Sequence, residues 1–354
     1  MEAARIVLDK LKLDAEFIHG DVGWHFWCTE GTSLPSRTVD MLKGTDACLF
    51  GAATSKPRDD ADRELNPELQ NMGLVYQSAV SQLRQIFNLH TNIRPCKSYP
   101  GNPLNYMPDI DIVVFRENSE CLYAGVEFHP VPDEVLQMIA KHNPAANRFL
   151  SVGSQDLAIS LRIFTRQRCQ GIARAAFEFA RRRVYRSVTA VEKANVARET
   201  SGLMLREARR MSKQYPEIEF YEANIDHLCM WLLKHPQHYA VILTSNLFGD
   251  ILSKLCAQLV GGLGFGASAN IGDDHALFEP IHGSAPRLAG KYQVNPIALI
   301  RAVGMMLEYL NETEMARALE NSVATTIQEG RVRTPDMGGE ASTIDMAKAI
   351  AERL

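Results

Sequence analysis

The sequence predicts an α/β fold, as two domains or one large one, on three observations. Short β-rich apolar runs alternate with longer helical patterns. The chain has 354 residues, about twice the usual 100–200 of a single domain. It is 46% hydrophobic and 23% charged, enough apolar material for a sizeable core and far from a disordered composition.

The elements follow in chain order. Met1–Lys12 carries Glu2, Arg5, Asp9 and Lys10 among its apolar positions, so it reads as an amphipathic helix rather than a signal sequence. The chain thus opens on a helix with no strand before it. Ala47–Phe50 is the first strand. The charged stretch Lys56–Glu68 reads as an exposed flexible loop. A helix over Tyr76–Phe87 precedes the apolar strand Ile110–Phe115. Helices at Arg166–Arg182, Ser201–Gln214, Ile225–Lys234 and Ile251–Val260 then alternate with strands at Ser187–Val191, Ile218–Glu222 and Tyr239–Leu243. Two loops of small residues, Gly261–Gly266 and His282–Pro286, let backbone approach a ligand closely. Neither is a GxGxxG behind a strand, so the ordinary Rossmann fingerprint is absent.

Composition excludes several classes. A formal charge of −4 argues against a nucleic-acid partner, which needs phosphate neutralisation. No apolar run approaches the ~18 residues of a membrane span. The seven cysteines are odd in number, scattered and without a CxxC spacing, which points to a reduced, cytoplasmic interior.

Three constellations carry chemistry. Arg84 ends the polar face of the helix bearing Ser78 and Ser81, Arg94 lies in Asn92-Ile93-Arg94-Pro95, and Arg116 ends a buried strand. Converging guanidiniums would clamp a multiply carboxylated substrate; unrelated surface ion pairs are the plainer alternative. Tyr123 lies a short loop beyond Arg116, where a phenol can donate a proton beside a bound carboxylate, or simply pack. Lys193 follows another buried strand and is a base or a solvated lysine. Asp226 and Asp250 stand at strand-to-helix junctions, as helix caps or as ligands of one hard divalent cation.

Taken together, these segments resemble the metal-dependent β-decarboxylating dehydrogenases acting on isocitrate, homoisocitrate, isopropylmalate and tartrate. The resemblance runs from the first helix to the C-terminus. Its most specific parts are Phe115–Gly125, Ser245–Asp250 with the glycine loop through Gly272, and Glu279–Pro286. It implies a fold of two α/β domains unlike the Rossmann fold. The large domain takes residues 1–89 and 261–354; the small one takes 90–260, with a dimer-forming clasp at about 121–165. The family's first strand and its glycine-rich turn are missing before Met1.

The same resemblance implies site roles. Ser78, Arg84, Arg94, Arg116 and Asn195 bind substrate, Tyr123 is the general acid and Lys193 the catalytic lysine. Asp226 and Asp250 hold Mg²⁺ or Mn²⁺. Lys193 and Asp226 reach the partner subunit's site in a homodimer or higher homo-oligomer. Glu279, His282, Gly283, Ser284, Ala285, Arg287 and Asn295 line the NAD(P) cofactor. Ser78 and Ser81 make this pocket too polar for an isopropyl group, so isocitrate is the expected substrate. Val80, where isocitrate enzymes carry asparagine, keeps homoisocitrate open, with isopropylmalate third. Arg287 and Val294 suit a 2′-phosphate, whereas Thr334–Gly339 resembles the NAD type; NAD is the narrow choice over NADP.

One departure stands out: Lys254 takes the position of a third metal-site aspartate. An Asp–Lys pair at i, i+4 is self-neutralising, which weakens metal binding. It also keeps alive a different class of reading, a non-catalytic regulatory subunit.

Overall fold

The structure, a computed structural model, describes all 354 residues. Ten strands form: β1 (Cys48–Leu49), β2 (Thr91–Lys97), β3 (Asp111–Glu117), β4 (Glu127–Phe128), β5 (Ile159–Ser160), β6 (Ser187–Glu192), β7 (Glu219–Asn224), β8 (Val241–Thr244), β9 (Ala267–Ile271) and β10 (Ala276–Pro280). Eight of them make one sheet in the order β1-β10-β9-β2-β3-β8-β6-β7, while β4 and β5 pair separately. β3, β8, β6 and β7 run parallel to one another, and so do β1 and β10; the joint between the two blocks is antiparallel, through β9 and β2.

The pattern in β3 explains its packing. Val113 and Phe115 face a core shared with the helices Arg166–Arg183 and Thr200–Ser212. Ile112 and Val114 alternate to the opposite face, under the helices Ile225–Lys234 and Asn246–Leu259. Both faces are covered, so the strand reads as one continuous apolar run. A third core joins the two chain ends: helix Glu2–Leu11 and the helices Ile297–Tyr309, Thr313–Glu329 and Thr343–Ala351 pack over β9 and β10.

The expected elements are present, with shifted ends. The helix Ile225–Lys234 falls where expected, and the first helix is Glu2–Leu11. Strands β2, β4, β5, β9 and β10 lie outside the strands that the sequence pattern predicts. Lys56–Glu68 is not a free loop. It holds a short helix, Arg58–Arg63, because Ala61 and Leu65 are buried against Trp27 and Lys56 pairs with Glu64 at 2.6 Å. Asp250 does not begin its helix: Ser245 is the N-cap, which puts Asp250 one turn inside. All seven cysteines are unpaired. No helix is long and apolar enough to cross a membrane.

Candidate active site

The sheet register builds the site. Arg94 pairs with Val114, and Asn92 pairs with both Arg116 and Asn270. Cross-strand partners share a face, and so do residues two apart. Asn92, Arg94, Arg116 and Asn270 therefore form a polar stripe on one face of the antiparallel joint. Ser268 and Glu279, opposite each other on β9 and β10, extend it. The stripe is buried and bonded along its length, though Asn92 Oδ1 is left without a partner: Asn92 Nδ2 donates to Ser268 Oγ at 2.8 Å and to Asn270 Oδ1 at 2.7 Å, and Asn270 Nδ2 donates to Glu279 Oε1 at 2.8 Å. Arg84, from the helix Ala79–Ile86, donates to Glu279 Oε1 at 3.0 Å.

Asp250 is where Arg94 and Arg116 meet. Its Oδ1 accepts from Arg116 Nη1 at 2.6 Å and from Arg94 Nη1 at 3.2 Å, and its Oδ2 accepts from Lys254 Nζ at 2.7 Å. Arg116 also donates through Nε and Nη2 to Asn246 Oδ1, at 2.9 and 2.6 Å. The helix lies close enough that a Cβ at Gly249 would fall 2.7 Å from Arg116 Cβ, so no larger residue fits there. Burial would raise the Asp250 carboxyl, but Arg116, Arg94 and Lys254 outweigh it and hold it well below the usual carboxylate range. Burial, with the charges of Arg94 and Arg84, lowers the Arg116 guanidinium. Two buried donors, Arg84 Nε and Arg94 Nε, have no partner in the protein. Unmade bonds of this kind cost about 1–3 kcal/mol each, which an incoming anion can recover.

Tyr123 sits in the turn Leu122–Ala124, with the Arg116 guanidinium 4.9 Å from its ring centroid. Burial and then the Asp250 charge raise its phenol, against Arg116, so the proton stays on oxygen. Ser78 is the N-cap of the Arg84 helix, yet its hydroxyl makes no capping bond.

The structure thus gathers Arg84, Arg94, Arg116, Tyr123 and Asp250. Within one chain it does not gather Lys193, Asn195 and Asp226 with them. Lys193 Nζ donates to Asp226 Oδ1 at 2.6 Å on a more exposed face, and that bond lowers the Asp226 carboxyl. The donor set around Asp250 does not suit a divalent cation, which needs oxygen ligands with free lone pairs. Both carboxylate oxygens are taken by cations, and nowhere in the chain do three His, Cys, Asp or Glu side chains gather to hold a metal ion.

The cofactor candidates divide. His282, Gly283, Ser284, Ala285 and Arg287 form a solvent-facing loop, with Ala285 in the left-handed region at φ 44° and Ser284 Oγ 2.6 Å from Thr54 Oγ1. Asn295 is buried nearby in sequence and held by Asp336, to which its Nδ2 donates at 3.1 Å. Glu279 instead points at Arg84 and Asn270. An accessible loop with an arginine that makes no ion pair fits a dinucleotide phosphate.

Sequence reasoning missed Asn92, Asn246, Asn270 and Ser253, whose Oγ accepts from Arg94 Nη1 at 2.6 Å. The signal was present in Asn92 and Asn270, each set between apolar or small neighbours in a strand. It also missed the network beneath Lys193, where buried Glu192 accepts from Arg162, Ser201 and the Ser245 backbone.

Comparison with known proteins agrees with this architecture. A family model for isocitrate/isopropylmalate dehydrogenase matches residues 1–350. The 3-isopropylmalate dehydrogenase of Methanothermobacter thermautotrophicus is 39% identical over 354 residues, spanning 100% of this chain and 94% of that protein. The isocitrate/homoisocitrate dehydrogenase of Thermus thermophilus is 38% identical, spanning 99% and 93%. The crystal structure of isocitrate dehydrogenase from Methylococcus capsulatus matches with a TM-score of 0.85 at 38% identity, covering 99% of this chain and 94% of that one. The chain belongs to the isocitrate/isopropylmalate dehydrogenase family.

Proposed function

We propose that the protein oxidises and decarboxylates isocitrate to 2-oxoglutarate with NAD(P), NAD being the narrow choice. The observation that carries this reading is the charge of the site. Arg94, Arg116 and Lys254 meet one carboxylate, Asp250, which leaves a net +2 beside the unpartnered Nε–H groups of Arg84 and Arg94. A polycarboxylate offsets that cluster, and the free Ser78 hydroxyl adds a neutral donor suited to a further carboxylate. An isopropyl group would leave these donors unpaired.

The residues then take these roles. Arg84, Arg94, Arg116 and Ser78 hold the substrate's carboxylates and fix its carbinol carbon toward the loop at His282–Arg287. The dinucleotide, when bound along that loop and Asn295, supplies the hydride acceptor. Tyr123, which keeps its proton, delivers it to the carbon that loses CO₂. Lys193, Asn195 and Asp226 act from a second copy in a homodimer, where the Lys193–Asp226 pair takes the hydroxyl proton. Exposed Met230, Trp231 and Leu233 on helix Ile225–Lys234, and Phe149 and Leu150 in the 121–165 clasp, support such an apolar interface. The domain division at residues 89/90 and 260/261 belongs to the same proposal.

Homoisocitrate or isopropylmalate is the second reading, favoured by the 39% identity to a 3-isopropylmalate dehydrogenase and by Val80. Ser78→Leu tests the choice. The ratio of kcat/KM for isocitrate over isopropylmalate is expected to fall about tenfold or more, the penalty of removing a donor meant for a carboxylate. An unchanged ratio would show that Ser78 does not meet the substrate.

A further inference from the structure

We infer that the Lys254 ammonium fills the cation position beside Asp250, so that the site takes its hydroxy acid without a divalent metal. This rests on the proposed reading of the site as one for a polycarboxylate. Three observations carry it. Both oxygens of Asp250 already accept from cations, Oδ1 from Arg116 and Arg94 and Oδ2 from Lys254. The cluster is net positive before any metal arrives, so a divalent ion would meet repulsion from three sides. The other acidic candidate, Asp226, is engaged by Lys193.

The placement of Lys254 is built in. Lys254 follows Asp250 by one helical turn on the same face. Asp250 is anchored from behind by two buried arginines, and Gly249 lets the helix press onto Arg116. The Lys254 side chain is half exposed, at 50%, so its ammonium also faces the solvent side from which a substrate enters. An ammonium has three N–H donors and Asp250 uses one. The remaining two suit the substrate's hydroxyl oxygen and the adjoining carboxylate. During decarboxylation the bond from carbon to the departing carboxylate breaks, its electron pair becomes the carbon–carbon double bond of the enolate, and the ketone's π pair moves onto the enolate oxygen. Lys254 stabilises that oxygen by hydrogen bonds and keeps all its protons, with Arg94 and Arg116 supplying the rest of the positive field.

The test is a titration of the purified full-length protein with Mn²⁺, read by electron paramagnetic resonance, alongside calorimetry of isocitrate binding in EDTA and in Mn²⁺. The wild type is expected to show no saturable Mn²⁺ site, with or without isocitrate. Lys254→Asp, which replaces the ammonium by a second carboxylate, is expected to bind Mn²⁺ about tenfold or more tightly than the wild type. Isocitrate should bind the wild type equally in EDTA and Mn²⁺. Lys254→Met, which removes the charge without adding a ligand, should lose EDTA-resistant isocitrate binding and gain no Mn²⁺ site, and its melting curve reports that it folds. Saturable Mn²⁺ binding by the wild type, matching Lys254→Asp, overturns the inference. So does isocitrate binding by Lys254→Met that equals the wild type in EDTA. If isocitrate binds under neither condition while the Mn²⁺ contrast holds, the substrate reading falls and the cation inference stands.

Discussion

Arg116 is 1% exposed and spends three of its donor contacts on Asn246 and Asp250, so its guanidinium is fixed before any substrate arrives. Preorganisation of this kind is what an anion-binding site needs, because no side-chain entropy is lost on binding. Arg116→Ala is expected to lower kcat/KM for isocitrate by a factor equivalent to about 2–5 kcal/mol of lost transition-state stabilisation, the cost of leaving a desolvated charge without its partner. Steady-state kinetics on a variant whose melting curve shows a folded protein checks it; unchanged kcat/KM would remove Arg116 from the clamp. Arg287 makes no ion pair and lies on the exposed loop, which leaves its guanidinium available to the proposed dinucleotide. Arg287→Asp should lower the NADP-to-NAD preference ratio, since a carboxylate accepts from ribose hydroxyls and repels a 2′-phosphate. A constant ratio would place Arg287 away from the ribose. Arg116 was legible as a cation closing an apolar strand. Its partners were not, because Asn246 and Asp250 lie 130 and 134 residues away and only the β3–β8 register brings them near.

The elements show the same division. Strand β3 and the helix Ile225–Lys234 were readable because apolar periodicity alone specifies them. β9 and β10 are only five residues each and carry Ala, Ser, Asn, Glu and Pro, types with little strand preference; their neighbours make them strands. The charged stretch after Lys56 misled for a related reason. Two apolar residues, Ala61 and Leu65, are enough to dock it on Trp27, whose indole Nε1 donates to Ala61 O at 2.9 Å. From there Tyr76 packs on Trp27 and donates to Thr54 O at 3.0 Å, and Thr54 touches Ser284 of the loop proposed to hold the cofactor. Trp27→Ala is therefore expected to cost about 3–5 kcal/mol of folding stability, as large aromatic truncations do. It should also raise the KM for the dinucleotide more than that for isocitrate. Denaturant melts and paired KM values check both halves; equal rises in the two KM values would mean that the Trp27 cluster does not support that loop.

The molecule as a whole divides its candidate site residues between two places. The arginine cluster with Tyr123 lies on the sheet's antiparallel joint, and the Lys193–Asp226 pair lies apart from it beside the exposed apolar side chains of helix Ile225–Lys234. One chain therefore holds only part of the proposed chemistry. Met230 is 66% exposed, and Met230→Glu is expected to convert a dimer into monomers by light scattering and to abolish turnover, while the monomer keeps its fold by circular dichroism. A monomeric variant with full turnover would show that one chain suffices. The most direct measurement is turnover of the purified wild-type protein on isocitrate, homoisocitrate and isopropylmalate, each with NAD and with NADP, in EDTA and in Mn²⁺. The expected result is the highest kcat/KM on isocitrate; faster turnover of isopropylmalate, or no turnover under any pairing, would contradict it.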